Sequence, residues 1–157
     1  MSSSSHVLLS RSPDDTARHA RRIGAALRAG DVILLTGSIG AGKTHFARAL
    51  IQSLLDPPED VPSPTFTLVQ TYDTPKGELW HADLYRLGDP DQCVELGLTE
   101  AFETAICLVE WPEILGDMVP ARALRIGFDT GPDEDTRRLT FTWTDPRWDG
   151  VLAGLAA

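Results

Sequence analysis

The first regular pattern in the chain is a set of small and apolar residues that recur every three or four positions between residues 12 and 30. This spacing predicts a helix that packs one face inward. The residues of the stripe are Ala17, Ala20, Ile23, Gly24 and Leu27. Ser12 and the acidic residues after it favour a helix start, because a side-chain oxygen caps free N–H groups and the helix dipole favours negative charge there. We expect residues 1–11 to be flexible.

The opposite face of this predicted helix is basic. It carries Arg18, Arg21, Arg22 and Arg28. Charged runs of this kind usually form a solvated surface, and docking of a partner is the alternative use of such a face.

Short apolar runs alternate with amphipathic segments along the rest of the chain. The runs 32–36 and 106–109 are typical of strands buried on both faces. A helix is predicted over 42–54, because the prolines at 57–58 cannot continue it. The remaining predicted elements are a hairpin from 65–72 and 79–84, a helix over 89–96, strands over 123–129 and 139–143, and a helix over 146–155.

These elements predict one α/β domain over residues 1–157. Its central sheet is expected to be mostly parallel and covered by helices, with antiparallel strands at the C-terminal side. Of the 157 residues, 42% are hydrophobic and 24% are charged, which is the composition of a globular domain with a substantial core.

Charge and cysteine content narrow the functions to consider. The formal net charge of −9 repels phosphodiester backbones, so contact with RNA or DNA requires a local basic patch or a partner. Cys93 and Cys107 have the spacing of neither a disulfide framework nor a zinc site, which favours a reducing compartment. The apolar runs are too short to span a membrane and the start lacks a secretory pattern, so we expect a cytoplasmic protein.

A phosphate-binding motif follows the first apolar run. Residues 37–44 read GSIGAGKT and match GxxxxGK[ST] between a predicted strand and a predicted helix, which predicts a P-loop NTPase-like fold that binds ATP and Mg²⁺. The glycines let backbone N–H groups converge on the phosphates, Lys43 adds positive charge, and Thr44 supplies a hydroxyl for the metal. A glycine turn that only joins strand to helix is the alternative. The predicted nucleotide-binding residues are Gly37, Ser38, Ile39, Gly40, Ala41, Gly42, Lys43, Thr44, His45 and Thr65.

Two carboxylates are candidates for the chemistry at the phosphates. Glu110 ends an apolar strand, where many P-loop proteins hold the magnesium shell, so Thr44 and Glu110 are the predicted metal ligands. Asp83 shares one strand face with His81 and could orient the attacking water or hold magnesium through water. An ordinary surface glutamate and a half-exposed strand explain the same two patterns. The predicted catalytic residues are Asp83, Glu110 and Lys43.

Thr65 lies in a proline-stiffened stretch between a predicted helix and a predicted strand. A segment that senses phosphate would lie at such a place. Simple loop rigidity explains this stretch equally well.

Four segments stand out in order along the chain: GSIGAGKT at 37–44, SPTFTLV at 63–69, HADLYRL at 81–87 and LVEWP at 108–112. Taken together, they resemble the TsaE family, the bacterial P-loop ATPases of tRNA threonylcarbamoyladenosine biosynthesis. The chain departs from the family at Ser38-Ile39, where an Asp-Leu pair is usual.

The resemblance implies an ATPase that binds Mg²⁺, forms ADP, and acts with companion proteins of the tRNA threonylcarbamoyl transfer complex. Contact with tRNA would then be indirect, and no membrane would be involved. The resemblance also implies Thr44 and Glu110 as magnesium ligands, Asp83 as a residue needed for hydrolysis, and Thr65 as part of a mobile segment near the γ-phosphate. Trp111 would follow the metal carboxylate.

Two other functions stay open at this point. A small-molecule kinase would close an arginine-bearing lid over the phosphates to exclude water, and Arg86 is the nearest candidate for such an arginine. An ATP-sensing module without turnover would consume no ATP even with all of its partners present.

Overall fold

A computed structural model describes residues 3–37, 42–55, 61, 69–85, 87 and 89–153 of the chain. Within these residues the strands are β1 (Ser4–Ser10), β2 (Val32–Gly37), β3 (Val69–Thr74), β4 (Gly77–Asp83), β5 (Ile106–Glu110), β6 (Leu124–Thr130) and β7 (Arg137–Trp143). The helices are α1 (Pro13–Ala25), α2 (Lys43–Leu54), α3 (Pro90–Glu95), α4 (Leu98–Thr104) and α5 (Arg147–Ala153), with a 3₁₀ segment over Pro112–Met118.

The strands form one seven-stranded sheet in the order β1-β7-β6-β2-β5-β4-β3. The four central strands β6, β2, β5 and β4 run parallel to one another. The outer strands pair antiparallel, β7 with β6 and β1 on one side and β3 with β4 on the other. The predicted α/β domain with a parallel centre is therefore confirmed, as are the C-terminal antiparallel pair and the hairpin, apart from its predicted residues 65–68, which lie outside the described residues.

Two apolar layers cover the sheet, one on each face. Strand β2 contributes to both, because Ile33 and Leu35 pack toward α1, α2 and α5 whereas Val32 and Leu34 pack toward α3 and α4. A strand that is buried on both sides has to be apolar at every position, which is why this run reads as continuous rather than alternating.

Helix α1 shows how local sequence sets an element boundary. Ser12 Oγ accepts a hydrogen bond from the backbone N–H of Asp15 at 3.1 Å, as expected of an N-cap. The helix then packs along α2, where Gly24 lets the two helices approach so closely that a Cβ would lie 3.2 Å from Leu50. Its arginines at 18, 21 and 22 are exposed, whereas Arg28, also exposed, lies beyond the end of the helix at Ala25 and so is not part of the predicted basic face.

The expectation that residues 1–11 are flexible is wrong for residues 4–10. Residues Ser4–Ser10 form β1, an edge strand that pairs along its whole length with β7, with Leu8 opposite Leu139. The serine-rich composition concealed the strand, since pairing with residues far along the chain leaves little local signal. Helix α4 and the 3₁₀ segment also have no counterpart among the predicted elements.

Cys93 and Cys107 are both buried and free, as the absence of a disulfide pattern predicts. Burial raises the pKa of the Cys107 thiol to about 12. In the part of the chain that the structure describes, no helix has the length and apolar character needed to cross a bilayer.

Candidate functional site

Three parallel strands end at the same edge of the sheet, and each brings one part of the candidate site. Strand β2 ends at Gly37 ahead of α2, β5 ends at Glu110, and β4 ends at Asp83. Glu110 lies between the other two strands, in register with Leu35 on β2 and with Asp83 on β4. Ligands of open α/β sheets bind outside the carboxyl ends of the strands, so this edge is the expected place for one.

Glu110 is the centre of the hydrogen bonding at this edge. Its side chain is only 2% exposed. Thr44 Oγ1, in the first turn of α2, donates to Glu110 Oε1 at 2.8 Å. His81 Nε2 donates to Glu110 Oε2 at 2.7 Å. The structure thus brings the two predicted metal ligands together and excludes the reading of Glu110 as an ordinary surface glutamate.

The oxygens of Thr44 and Glu110 fit a magnesium ion. Among the described residues, no group of three or more His, Cys, Asp or Glu side chains could hold a metal by itself. Mg²⁺ is usually bound by one or two protein oxygens together with waters and substrate phosphates, rather than by a cage made of protein alone. A hydroxyl beside a carboxylate at a helix N-terminus supplies oxygens of this kind.

Lys43 is held at this edge by its own loop and by an aromatic ring. Its ammonium donates to the carbonyl of Gly37 at 2.5 Å and lies 3.5 Å from the centroid of the Trp111 ring, which is cation–π distance. The residue is 5% exposed. Burial lowers the pKa of Lys43, although nearby carboxylates, Glu110 foremost, act in the opposite direction.

Trp111 has a backbone conformation that is unusual for a bulky residue. Its φ of 59° and ψ of 54° lie in the left-handed region. The ring packs against that of Tyr85, with the two centroids 4.8 Å apart. Strain of this kind is often found at functional sites. Periodicity carries no sign of this contact with Lys43, because the two residues lie on different elements.

Asp83 is 8% exposed and closes β4 at the same edge. Its Oδ1 accepts a hydrogen bond from the backbone N–H of Tyr85 at 3.0 Å, so the carboxylate also shapes the turn after the strand. His81, Ala82 and Asp83 are all buried. The alternative of a half-exposed strand with alternating polar residues is therefore wrong for this end of β4.

Part of the predicted nucleotide site is not covered by the structure. Ser38, Ile39, Gly40, Ala41 and Thr65 lie outside the described residues, as does Arg86. The side chain of His45 lies against α1, where its Nε2 is 2.8 Å from the carbonyl oxygen of Pro13. Gly42 precedes α2 with a φ of 105°. The nucleotide-binding roles of these residues stay predictions.

Gly37 has a structural reason to be glycine. Its φ is 136°, and a Cβ built there would lie 2.5 Å from the carbonyl oxygen of Phe128 on the neighbouring strand. The clash is with backbone, which cannot move aside as a flexible side chain can.

We expect Gly37→Ala to lower the free energy of unfolding by about 2–4 kcal/mol, because the left-handed conformation and the clash both disfavour a Cβ. Urea denaturation followed by circular dichroism measures it. Gly150→Ala is the matched control, since nothing lies within 4 Å of a Cβ there. Equal stability of the two variants would contradict the argument.

The chain is similar to known proteins over most of its length. Residues 10–139 match the family model described as "Threonylcarbamoyl adenosine biosynthesis protein TsaE". A tRNA threonylcarbamoyladenosine biosynthesis protein TsaE from Aquifex aeolicus is 45% identical over 103 residues, which cover 65% of this chain and 73% of the relative. The protein of the same name from Rickettsia bellii is 37% identical over 131 residues, or 83% of this chain and 90% of the relative.

Two further comparisons, one of sequence and one of structure, are with Bacillus subtilis. The protein TsaE of tRNA threonylcarbamoyladenosine biosynthesis is 35% identical over 145 residues, which cover 92% of this chain and 89% of the relative. The crystal structure of YdiB superimposes with a TM-score of 0.80 at 28% identity, covering 99% of this chain and 97% of that one. The similarity thus extends over nearly the whole fold.

Proposed function

The chain belongs to the TsaE family of tRNA threonylcarbamoyladenosine biosynthesis proteins, and on this basis we propose that it is the component of that machinery which binds and hydrolyses ATP. The observation that carries the proposal is the convergence of Lys43, Thr44 and Glu110 at the start of α2. A lysine, a hydroxyl and a carboxylate at a helix N-terminus are the groups with which P-loop proteins hold a nucleotide and its metal.

The four residues at this edge of the sheet would have different roles. Lys43 would exchange its contact with the carbonyl of Gly37 for the β- and γ-phosphates. Thr44 and Glu110 would hold Mg²⁺, which, when bound, neutralises negative charge on the phosphates. Asp83, at the end of the adjacent strand, would orient the attacking water. The buried setting supports these assignments, because charge interactions are stronger where water is excluded.

We expect Glu110→Gln and Asp83→Asn to act on different steps. Glu110→Gln keeps shape but removes the charge, so the affinity gained by adding Mg²⁺ to ATP should fall at least about tenfold. Asp83→Asn should bind Mg²⁺ and ATP nearly normally and slow hydrolysis by on the order of 10²–10⁴, the range of a positioned acid–base group. Calorimetric titration with and without Mg²⁺, followed by partner-stimulated phosphate release, separates the two effects.

Glu113→Gln is the matched control. This exposed carboxylate acts on Lys43 only through space and accepts no hydrogen bond from Thr44. Glu113→Gln should therefore leave both the Mg²⁺-dependent affinity for ATP and the rate of hydrolysis near their wild-type values. Wild-type behaviour of all three variants would refute the assignments. Transfer of the phosphoryl group to a small molecule instead of water would favour a kinase, and binding without any turnover would favour an ATP sensor.

A further inference from the structure

A buried histidine completes the environment of Glu110. His81 lies on β4, two residues before Asp83, and its side chain is 0% exposed. Its Nε2 donates to Glu110 Oε2 at 2.7 Å, across the pair of parallel strands β4 and β5. Among the described residues, the other ring nitrogen, Nδ1, has no hydrogen-bond partner. The contact with Glu110 is therefore the polar interaction that this imidazole makes there.

The two oxygens of Glu110 are divided between two partners. Oε1 accepts from Thr44 and faces the start of α2, whereas Oε2 accepts from His81 on the opposite side. The terminal torsion of a glutamate has a broad range, so a carboxylate without a second contact could turn. A donor on Oε2 holds the plane of the carboxylate, so that its other oxygen stays directed toward Thr44.

A purely structural role would not explain why a histidine is buried beside Glu110 with one ring nitrogen unpartnered among the described residues. Buried polar atoms are almost always hydrogen-bonded, and an imidazole with one unpartnered nitrogen is a costly way to fill space that an apolar side chain would fill as well. Residues that donate to metal-binding carboxylates, in contrast, orient them and tune their affinity. The geometry of His81 matches that second use.

We propose that His81 is a positioning residue that sets the affinity of the site for Mg²⁺ by holding Glu110 with Oε1 toward Thr44. The inference rests on the proposed binding of ATP and Mg²⁺. It separates the response to Mg²⁺ from the binding of ATP itself, because His81 bonds to Glu110 whereas the ammonium of Lys43 contacts the Gly37 carbonyl and the Trp111 ring. Loss of the histidine should therefore weaken the response to Mg²⁺ and leave the binding of metal-free ATP unchanged.

The experiment uses the full chain with three substitutions. His81→Leu removes the donor and keeps an apolar volume. His81→Gln places an amide N–H near the position of Nε2, whereas His81→Asn is polar but too short to reach Glu110. Calorimetry measures ATP binding in EDTA and over a series of Mg²⁺ concentrations, and Mn²⁺ binding followed by electron paramagnetic resonance gives a second readout. Circular dichroism and thermal unfolding of the metal-free protein monitor the fold.

We expect His81→Leu and His81→Asn to raise the Mg²⁺ concentration needed for half-maximal effect by about 10–100-fold, with His81→Gln close to wild type. If His81→Leu does not fold, the comparison of Gln with Asn decides. Wild-type Mg²⁺ dependence in the Asn variant would overturn the proposal. A loss of metal-free ATP binding as large as the loss of the Mg²⁺ response would overturn it too. A wild-type protein that binds neither ATP nor Mn²⁺ would overturn this inference together with the proposed function, whereas intact wild-type binding confines a failure to His81.

Discussion

Lys43→Met is expected to reduce ATP affinity by on the order of a hundredfold or more, because it removes the charged donor for the phosphates. Calorimetric titration with ATP and Mg²⁺ measures the loss. Methionine is a sharper test than alanine, since Lys43 is 5% exposed and packs on the Trp111 ring. It retains most of the side-chain volume over that ring and removes the charge together with the hydrogen bond to the carbonyl of Gly37.

The folded state should survive this substitution. Burial lowers the pKa of Lys43, so the charged form is disfavoured in the folded protein. The free energy of unfolding should therefore increase as the pH rises from this lowered pKa toward the higher pKa of the unfolded chain. Removing the charge therefore relieves that cost and offsets the lost contacts. Thermal unfolding checks this point, and Lys76→Met makes the same change at an exposed position in the β3–β4 turn. Undiminished ATP binding by folded Lys43→Met would make the loop a structural turn and refute the proposed function.

The companion proteins of the modification machinery should accelerate phosphate release by up to about 10³–10⁵, the range known for an arginine supplied in trans. Among the described residues, the charged groups that act on Lys43 are the carboxylates Glu110, Glu113 and Asp83. One lysine beside these three carboxylates supplies little positive charge for a γ-phosphate in the transition state. Positive charge from a partner would stabilise that transition state, so we expect slow hydrolysis by the isolated chain.

The net charge of −9 gives a second reason to expect partners, since the chain would reach tRNA through them rather than directly. The exposed arginine face of α1 is a surface at which such docking would be favourable. Phosphate release should be compared for the isolated chain, for the companions alone and for the mixture with and without tRNA. Replacing the wild-type chain in the mixture by its Lys43→Met variant shows whether this chain, and not a companion, hydrolyses the ATP. Fast hydrolysis in isolation that neither partners nor tRNA alter would contradict this prediction.

Sequence pattern was enough for those features that depend on neighbouring residues. Helical spacing and a capping serine defined α1, continuous apolar runs defined β2 and β5, and the GxxxxGK[ST] motif located Lys43 and Thr44. Each of these signals lies within a few residues of the element it predicts, because caps, periodicity and glycine turns act over one or two turns of chain. The family resemblance then linked four such local segments, and the family comparison confirmed it.

The tertiary structure alone decided which of these residues meet. Thr44 and Glu110 are 66 residues apart, and His81 and Glu110 are 29 apart, yet each pair is joined by a hydrogen bond. The cation–π contact of Lys43 with Trp111 and the pairing of β1 with β7 are likewise non-local. Periodicity along a chain reports which face of an element is buried, but strand order determines which side chains share an edge. The motif residues could therefore be found from the sequence, whereas the histidine behind Glu110 and the ring over Lys43 required the assembled sheet.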